Sequence, residues 1–280
     1  MYKLGLIGYP LGHSISAVIQ KAGFESINET GTYEILETPP DDLVDRVKFL
    51  KINNYDGFNV TIPLKVPISL FLDEIDESAN IAGCANTVKI QSDRSFKGYN
   101  TDIYGFWAAL PKNVNLSGKK AGIIGTGGAS RAATVGLIQA GATEITYYCR
   151  NIINSAQMIN SMREAFPEIK FNSSQIQLLQ GLNEVSILVN CTPIGMRGHS
   201  MDEMPIGKYD LAKMDKSAII YDVIYNPTKT LLLKTAEEQG FTTVNGLDML
   251  IHQGAKALEI WTGKTPDVQT MKIAALQALQ

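Results

Sequence analysis

The stretch Gly125-Thr126-Gly127-Gly128-Ala129-Ser130-Arg131-Ala132 follows an apolar run ending at Ile124 and opens an amphipathic segment. Glycines there permit a tight turn and let backbone N–H groups approach a pyrophosphate at the positive end of a helix. Ser130 takes the place of the third glycine, and a glycine-rich turn is by itself only a turn; its setting between strand and helix is what favours a dinucleotide. The next strand ends in Tyr147-Tyr148-Cys149-Arg150-Asn151, with no carboxylate for a ribose 2′-hydroxyl. Arg150 suits a 2′-phosphate, which favours NADP with NAD as second choice; the plainer reading is a solvated arginine.

A second group of polar residues lies near the N-terminus. In Gly57-Phe58-Asn59-Val60-Thr61-Ile62-Pro63-Leu64-Lys65, alternation sets Phe58, Val60 and Ile62 on one face and Asn59 with Thr61 on the other. Pro63 ends the strand and carries Lys65 beyond its C-terminal edge, where ligands bind in open α/β sheets. The stretch reads equally well as a solvated edge face. Gly83-Cys84-Ala85-Asn86-Thr87 precedes a strand, and Asn100-Thr101-Asp102 follows one before a helix starting near Ile103. Their plain reading is turn and cap chemistry, as it is for His13-Ser14-Ile15-Ser16, where a serine can cap the first helix; capping and carboxylate binding are compatible. Two Tyr-x-x-x-Lys pairs, Tyr209–Lys213 and Tyr225–Lys229, lack the nucleotide motif and serine partner that a short-chain dehydrogenase needs, and Pro227 interrupts the second.

Placing these residues requires a βα framework, and the periodicity supplies one. Lys3–Ile7, Thr32–Leu36 and Gly57–Ile62 read as strands, with helices over Ser16–Ile27 and Asp41–Leu50. Thr87–Ile90 and Phe96–Tyr99 read as a hairpin. A second series has strands Lys120–Ile124, Glu144–Tyr148, Ser186–Val189 and Ala218–Val223, with helices Gly128–Gln139, Ser155–Phe166 and Thr230–Gln239. Helices Leu247–Trp261 and Asp267–Leu279 end the chain. The expectation is two α/β domains with a cleft between them: residues 1–102 plus 247–280 around a mainly parallel sheet, and a Rossmann-like domain over 103–246.

Composition narrows the function. The 280 residues carry 25 basic and 28 acidic side chains and are 45% hydrophobic, so a core is assured and no basic stripe exists for nucleic acid. No apolar run is long enough for a bilayer, the N-terminus is a poor signal peptide, and three scattered cysteines fit a reducing cytoplasm. His13, His199 and His252 show no metal-ligand spacing, and none is expected.

Taken together, Ser14-Ile15-Ser16, Asn59-Val60-Thr61-Ile62-Pro63 with Lys65, Asn86-Thr87, Asn100-Thr101-Asp102, the glycine-rich turn, Asn190-Cys191-Thr192-Pro193-Ile194-Gly195-Met196 and Gly246-Leu247-Asp248-Met249-Leu250 with Gln253 resemble the shikimate dehydrogenase family over nearly the whole chain. The resemblance implies NADP-dependent reduction of 3-dehydroshikimate to shikimate by a monomer or homodimer. It implies Lys65 and Asp102 as the catalytic pair, and Ser14 and Ser16 on the substrate carboxylate. Asn59, Thr61, Asn86 and Gln253 would hold the ring hydroxyls, with Tyr225 beside the substrate. Gly125, Thr126, Gly127, Gly128 and Ala129 would hold the pyrophosphate, Arg150 with Asn151 the 2′-phosphate, and Thr192, Val223 and Gly246 the nicotinamide end. The family commonly carries a further arginine where this chain has Asn154, and members that accept quinate, often with NAD, share most substrate motifs.

Overall fold

A computed structural model describes residues 1–280 apart from His13, Asn113 and His199, so the sequence readings made on the two histidines lie outside it. The chain divides into two compact units, Met1–Gly105 with Ile251–Gln280, and Phe106–Leu250. The sequence pattern places the edges at 102/103 and 246/247; the divisions at 105/106 and 250/251 both fall inside helices.

The first unit runs β1 (Tyr2–Gly8), α1 (Ser16–Ser26), β2 (Gly31–Glu37), α2 (Leu43–Ile52), β3 (Gly57–Val60), β4 (Glu74–Ile75), α3 (Glu77–Ala82), β5 (Thr87–Ile90), β6 (Phe96–Tyr99) and the start of α4 (Thr101–Ala108). Its sheet has the order β2-β1-β3-β5-β6-β4, parallel through β2, β1 and β3, then antiparallel through the β5–β6 hairpin. One face buries Ile7, Leu50, Phe58, Val60, Leu64 and Phe96. Each such side chain stabilises the fold by roughly 1.5–3 kcal/mol on burial.

Three local expectations change. β3 ends at Val60, because the amide of Leu64 turns back to the carbonyl of Thr61 (2.8 Å) and Pro63 brings no N–H; Ile62 is therefore 62% exposed rather than aligned with Phe58 and Val60. α4 begins at Thr101, since the Asn100 side chain accepts from the amide of Ile103 (3.3 Å) and acts as the cap. The cap position of α1 is Ile15, not a serine; the Ser14 hydroxyl accepts instead from the amide of Ser16 (3.3 Å).

The second unit contains β7 (Lys120–Ile124), α5 (Gly128–Gln139), β8 (Glu144–Cys149), α6 (Ile152–Ala165), β9 (Lys170–Gln175), β10 (Ile187–Asn190), α7 (Lys208–Leu211), β11 (Ile219–Asp222), α8 (Leu231–Glu238) and β12 (Thr242–Val244). All six strands are parallel, in the order β12-β11-β10-β7-β8-β9. The order reverses between β7 and β10, the switch point of a doubly wound sheet. Ile123, Ile145, Tyr147, Val189 and Tyr221 fill one face, with Phe106 stacked on Tyr221 at 4.8 Å; Ile124, Tyr148, Leu188 and Ile220 fill the other.

α9 (Leu247–Thr262) returns the chain to the first unit, and α10 (Val268–Ala278) packs on α1 there. Leu258 and Trp261 of α9 join Leu4, Phe24 and Ile27 on the second face of that sheet. Gly57 makes room for this: a side chain would run into the Trp261 indole, whose Nε1 donates to the carbonyl of Val88 (2.9 Å).

Candidate active site

The C-terminal end of β3 in the first unit gathers a set of polar side chains that are largely buried. Lys65 Nζ donates to Asp102 Oδ2 at 2.5 Å; the two side chains are 15% and 7% exposed. The lysine backbone is pinned from behind, its carbonyl accepting from the amide of Ala85 (3.0 Å). Asp102 lies in the first turn of α4, where the helix dipole favours a carboxylate. The pair thus presents an ammonium of fixed direction beside a carboxylate that has lone pairs to spare.

Amides and hydroxyls surround this pair. Asn86 Nδ2 donates to Thr101 Oγ1 (3.0 Å) and to Gln253 Oε1 (3.3 Å), while Asn86 Oδ1 accepts from the amide of Thr101 (2.7 Å). Asn59 Nδ2 donates to the carbonyl of Asn86 (3.1 Å) and to Thr87 Oγ1 (2.9 Å). Its Oδ1 accepts from the Tyr33 hydroxyl (2.7 Å), whose phenol burial holds well above its usual range. Both N–H groups of Asn59 are therefore committed within the protein. Thr61 follows β3 directly, its amide bonded to the carbonyl of Ile7 (2.9 Å). Ser14 donates to Ser16 Oγ (3.1 Å) at the start of α1, two partly buried hydroxyls beside a helix N-terminus.

The second unit holds the remaining residues singled out in the sequence. Gly125 adopts φ +98, and a side chain at Gly127 would meet nothing within 4 Å, so the turn between β7 and α5 is open above its backbone. Among the described residues no side chain caps α5. Its first-turn N–H groups have no partner within the helix and suit phosphate oxygens. Thr126 Oγ1 lies 3.2 Å from Ser155 Oγ, which ties this turn to the start of α6. There Asn151 is the cap, accepting from the amide of Asn154 (3.1 Å), and Arg150 is exposed beside it. Thr192, Val223, Tyr225 and Gly246 belong to this unit as well, on the turns after β10, β11 and β12. Tyr209 is 76% exposed, and Lys213 donates to Asp210 (2.7 Å), so they form no catalytic couple.

Residues 6–88 match the family described as "Shikimate dehydrogenase substrate binding domain", and residues 246–276 match "Shikimate 5'-dehydrogenase C-terminal domain". The chain is 38% identical to the shikimate dehydrogenase (NADP(+)) of Archaeoglobus fulgidus across all of both chains. The chain belongs to the shikimate dehydrogenase family. A solved member of that family in complex with NADP+ superimposes with a TM-score of 0.90 at 34% identity, covering 100% of this chain and 96% of the other. A shikimate 5-dehydrogenase from Listeria monocytogenes, in complex with shikimate and NAD, gives 0.86 at 32% identity, covering 98% and 96%.

The matched segments of the family take in Ser14, Ser16, Asn59, Thr61, Lys65 and Asn86, then Gly246 and Gln253. Several residues that organise these side chains carry no signal of their own in the sequence. Tyr33 is one aromatic residue of an ordinary strand, and its bond to Asn59 exists only once β2 and β3 flank β1. Asp222 is different: a carboxylate inside the apolar run Ile219-Ile220-Tyr221-Asp222-Val223-Ile224 marks a buried charge that must be satisfied. Among the described residues no three His, Cys, Asp or Glu side chains form a metal-binding group, and no helix is long and apolar enough to cross a membrane.

Proposed function

We propose that this protein catalyses the reversible, NADP-dependent reduction of 3-dehydroshikimate to shikimate, a step towards chorismate and the aromatic amino acids. The observation that carries the reading is the 2.5 Å Lys65–Asp102 pair set among amides and hydroxyls in a member of this family. The open glycine turn, the uncapped start of α5 and exposed Arg150 at the end of a strand without a carboxylate fit a dinucleotide with a 2′-phosphate. Gly125, Thr126, Gly127, Gly128 and Ala129 would hold its pyrophosphate, Arg150 and Asn151 its 2′-phosphate, and Thr192, Val223 and Gly246 its nicotinamide end. When bound, it supplies or accepts the hydride.

The chain's own residues then handle binding and the proton. Ser14 and Ser16 receive the substrate carboxylate at the N-terminus of α1, and Thr61, Asn86 and Gln253 the ring hydroxyls. Asn59, with both N–H groups committed, offers at most an oxygen lone pair and mainly keeps Asn86 and Thr87 in place. Lys65 meets the substrate oxygen whose charge changes as the carbon–oxygen bond order changes, giving or taking its proton. Asp102 holds the ammonium and bonds the same hydroxyl. Tyr225 contributes from the turn after β11. The cytoplasm fits the three scattered cysteines, and either a monomer or a homodimer serves the reaction.

The test is the appearance of reduced-nicotinamide absorbance when purified protein meets shikimate and NADP. Quinate with NAD is the matched comparison. No turnover with either pair ends the reading, and faster turnover with quinate and NAD replaces it with a quinate dehydrogenase.

A further inference from the structure

Asp222 ends β11 with no exposed surface, and three donors point at it: Asn190 Nδ2 (3.0 Å) and the amide of Ile224 (3.1 Å) on Oδ1, Thr230 Oγ1 (2.7 Å) on Oδ2. Each donor belongs to a different piece of chain. Asn190 ends β10 and passes the contact on, its Oδ1 accepting from the amide (3.0 Å) and the hydroxyl (2.7 Å) of Thr192. Ile224 lies in the turn after β11. Its carbonyl accepts from the amide of Gly246 (3.0 Å), and a side chain at Gly246 would overlap the carbonyl of Val223. Thr230 caps α8, accepting from the amide of Leu233 (3.3 Å). One buried carboxylate therefore ties the ends of β10 and β11 to the start of α8, and the turn after β12 joins this network through the Ile224 carbonyl.

Those turns have a defined place in a doubly wound sheet. The dinucleotide lies across the carboxyl ends of the strands at the switch point, one mononucleotide on each half. Here the switch falls between β7 and β10, and Arg150 at the end of β8 marks the adenosine side. The other mononucleotide must cross the turns after β10 and β11. The glycine turn abuts this network too, since a side chain at Gly125 would stand 3.0 Å from Thr192 Cγ2.

We propose that Asp222 is a positioning residue for the nicotinamide half of the dinucleotide, acting through Asn190, Thr192 and the Val223–Gly246 contact without touching the ligand. The proposal rests on the NADP reading above. A carboxylate suits the task because it accepts from all three donors at once, whereas an amide in its place turns an N–H towards one of them.

Calorimetric titration of the whole protein with NADP and with adenosine 2′,5′-bisphosphate, which fills only the adenosine side, separates positioning from general damage. Asp222→Asn should weaken NADP about tenfold or more while the bisphosphate stays within about twofold. Thr230→Val, which removes the hydroxyl that donates to Asp222 and caps α8 but keeps the side-chain shape, should fall between the two, and Thr230→Ser, which keeps that hydroxyl, should bind NADP like the unmodified protein. The Thr230→Val and Thr230→Ser pair also serves as the test if Asp222→Asn fails to fold. Equal weakening of both ligands would make Asp222 a merely structural residue, and unchanged NADP affinity in Asp222→Asn or in Thr230→Val would overturn the proposal. If the unmodified protein binds neither ligand, the cofactor reading falls and the proposal with it; binding of both with only the variants behaving unexpectedly removes the proposal alone.

Discussion

Replacing Lys65 by methionine removes an ammonium 2.5 Å from Asp102 and leaves a chain of similar length. The Asp102 side chain, 7% exposed, then loses its cationic partner. Breaking such a buried pair costs ~3–5 kcal/mol, offset by ~0.3–1 kcal/mol from the α4 dipole, so we expect the variant to lose about 3 kcal/mol of stability. In a unit of this size that lowers the melting temperature by about 10 °C, which leaves the protein folded at ordinary assay temperature. Catalysis should suffer far more. General acid–base contributions run to ~10²–10⁴-fold, and turnover with shikimate and NADP should fall by that factor while the Michaelis constant for shikimate changes little. Asp102→Asn should also slow turnover, and the double variant should lose less than the product of the single losses, because the two groups act as one unit. Initial rates across a shikimate series, with circular dichroism to verify folding, decide the matter. Near-normal turnover with a raised Michaelis constant would make Lys65 a binding residue and refute the catalytic assignment.

Other outcomes follow from the same geometry. Arg150→Ala should raise the Michaelis constant for NADP by ~10-fold while leaving that for NAD nearly unchanged; equal effects on both would remove Arg150 from the 2′-phosphate. Shikimate should exceed quinate in specificity constant, because quinate's extra hydroxyl on the carboxylate-bearing carbon crowds Ser14 and Ser16, and the reverse order would contradict that placement. Gln253→Ala should raise the Michaelis constant for shikimate ~2–10-fold with the melting temperature nearly unchanged, whereas Asn59→Ala should cost ~1–3 kcal/mol of stability by orphaning the Tyr33 hydroxyl; the opposite pattern in thermal melts would reverse their roles. Burial pushes the Asp222 carboxyl up to about 6, against the pull of its three donors. A folded value above the unfolded one means stability present below about pH 4 and lost as pH rises through 6, so denaturant titrations should find Asp222→Asn gaining on the unmodified protein by about 3 kcal/mol between those limits; a flat difference would show that the carboxyl titrates normally.

What the sequence makes legible follows from how strongly each residue constrains its surroundings. Strands such as Ile187–Asn190 and Ile219–Asp222 are apolar runs buried on both faces, and their pattern suffices. β9, Lys-Phe-Asn-Ser-Ser-Gln, and β12, Thr-Thr-Val, stand at the two edges of their sheet and owe their existence to pairing with β8 and β11, which composition does not announce. β3 ends earlier than its pattern implies, because alternation alone carries Ile62 into the strand while the Thr61–Leu64 turn takes it out. In the site, Lys65, Asp102 and Asn86 stand out as polar residues next to strand and helix ends. Their supporting partners are separated from them by many residues: Tyr33 meets Asn59 across 26 positions and Gln253 meets Asn86 across 167.

The lengths of these bonds separate the polar set into two groups. Tyr33–Asn59 at 2.7 Å, partly buried, and Asn59–Thr87 at 2.9 Å, buried, are short and shared among protein groups, so a ligand hydroxyl gains little by breaking them. Asn86–Gln253 at 3.3 Å and Thr101–Gln253 at 3.5 Å are the long members, and both involve the one amide of the set that α9 contributes. On the proposed reading a ring hydroxyl competes with these longer contacts, while the shorter bonds keep the remaining donors and acceptors aimed. The bonds of Asn59 then keep the polar set in register around Lys65 and Asp102, and selectivity for shikimate rests on ring hydroxyls that reach Asn86 and Gln253 without breaking those bonds.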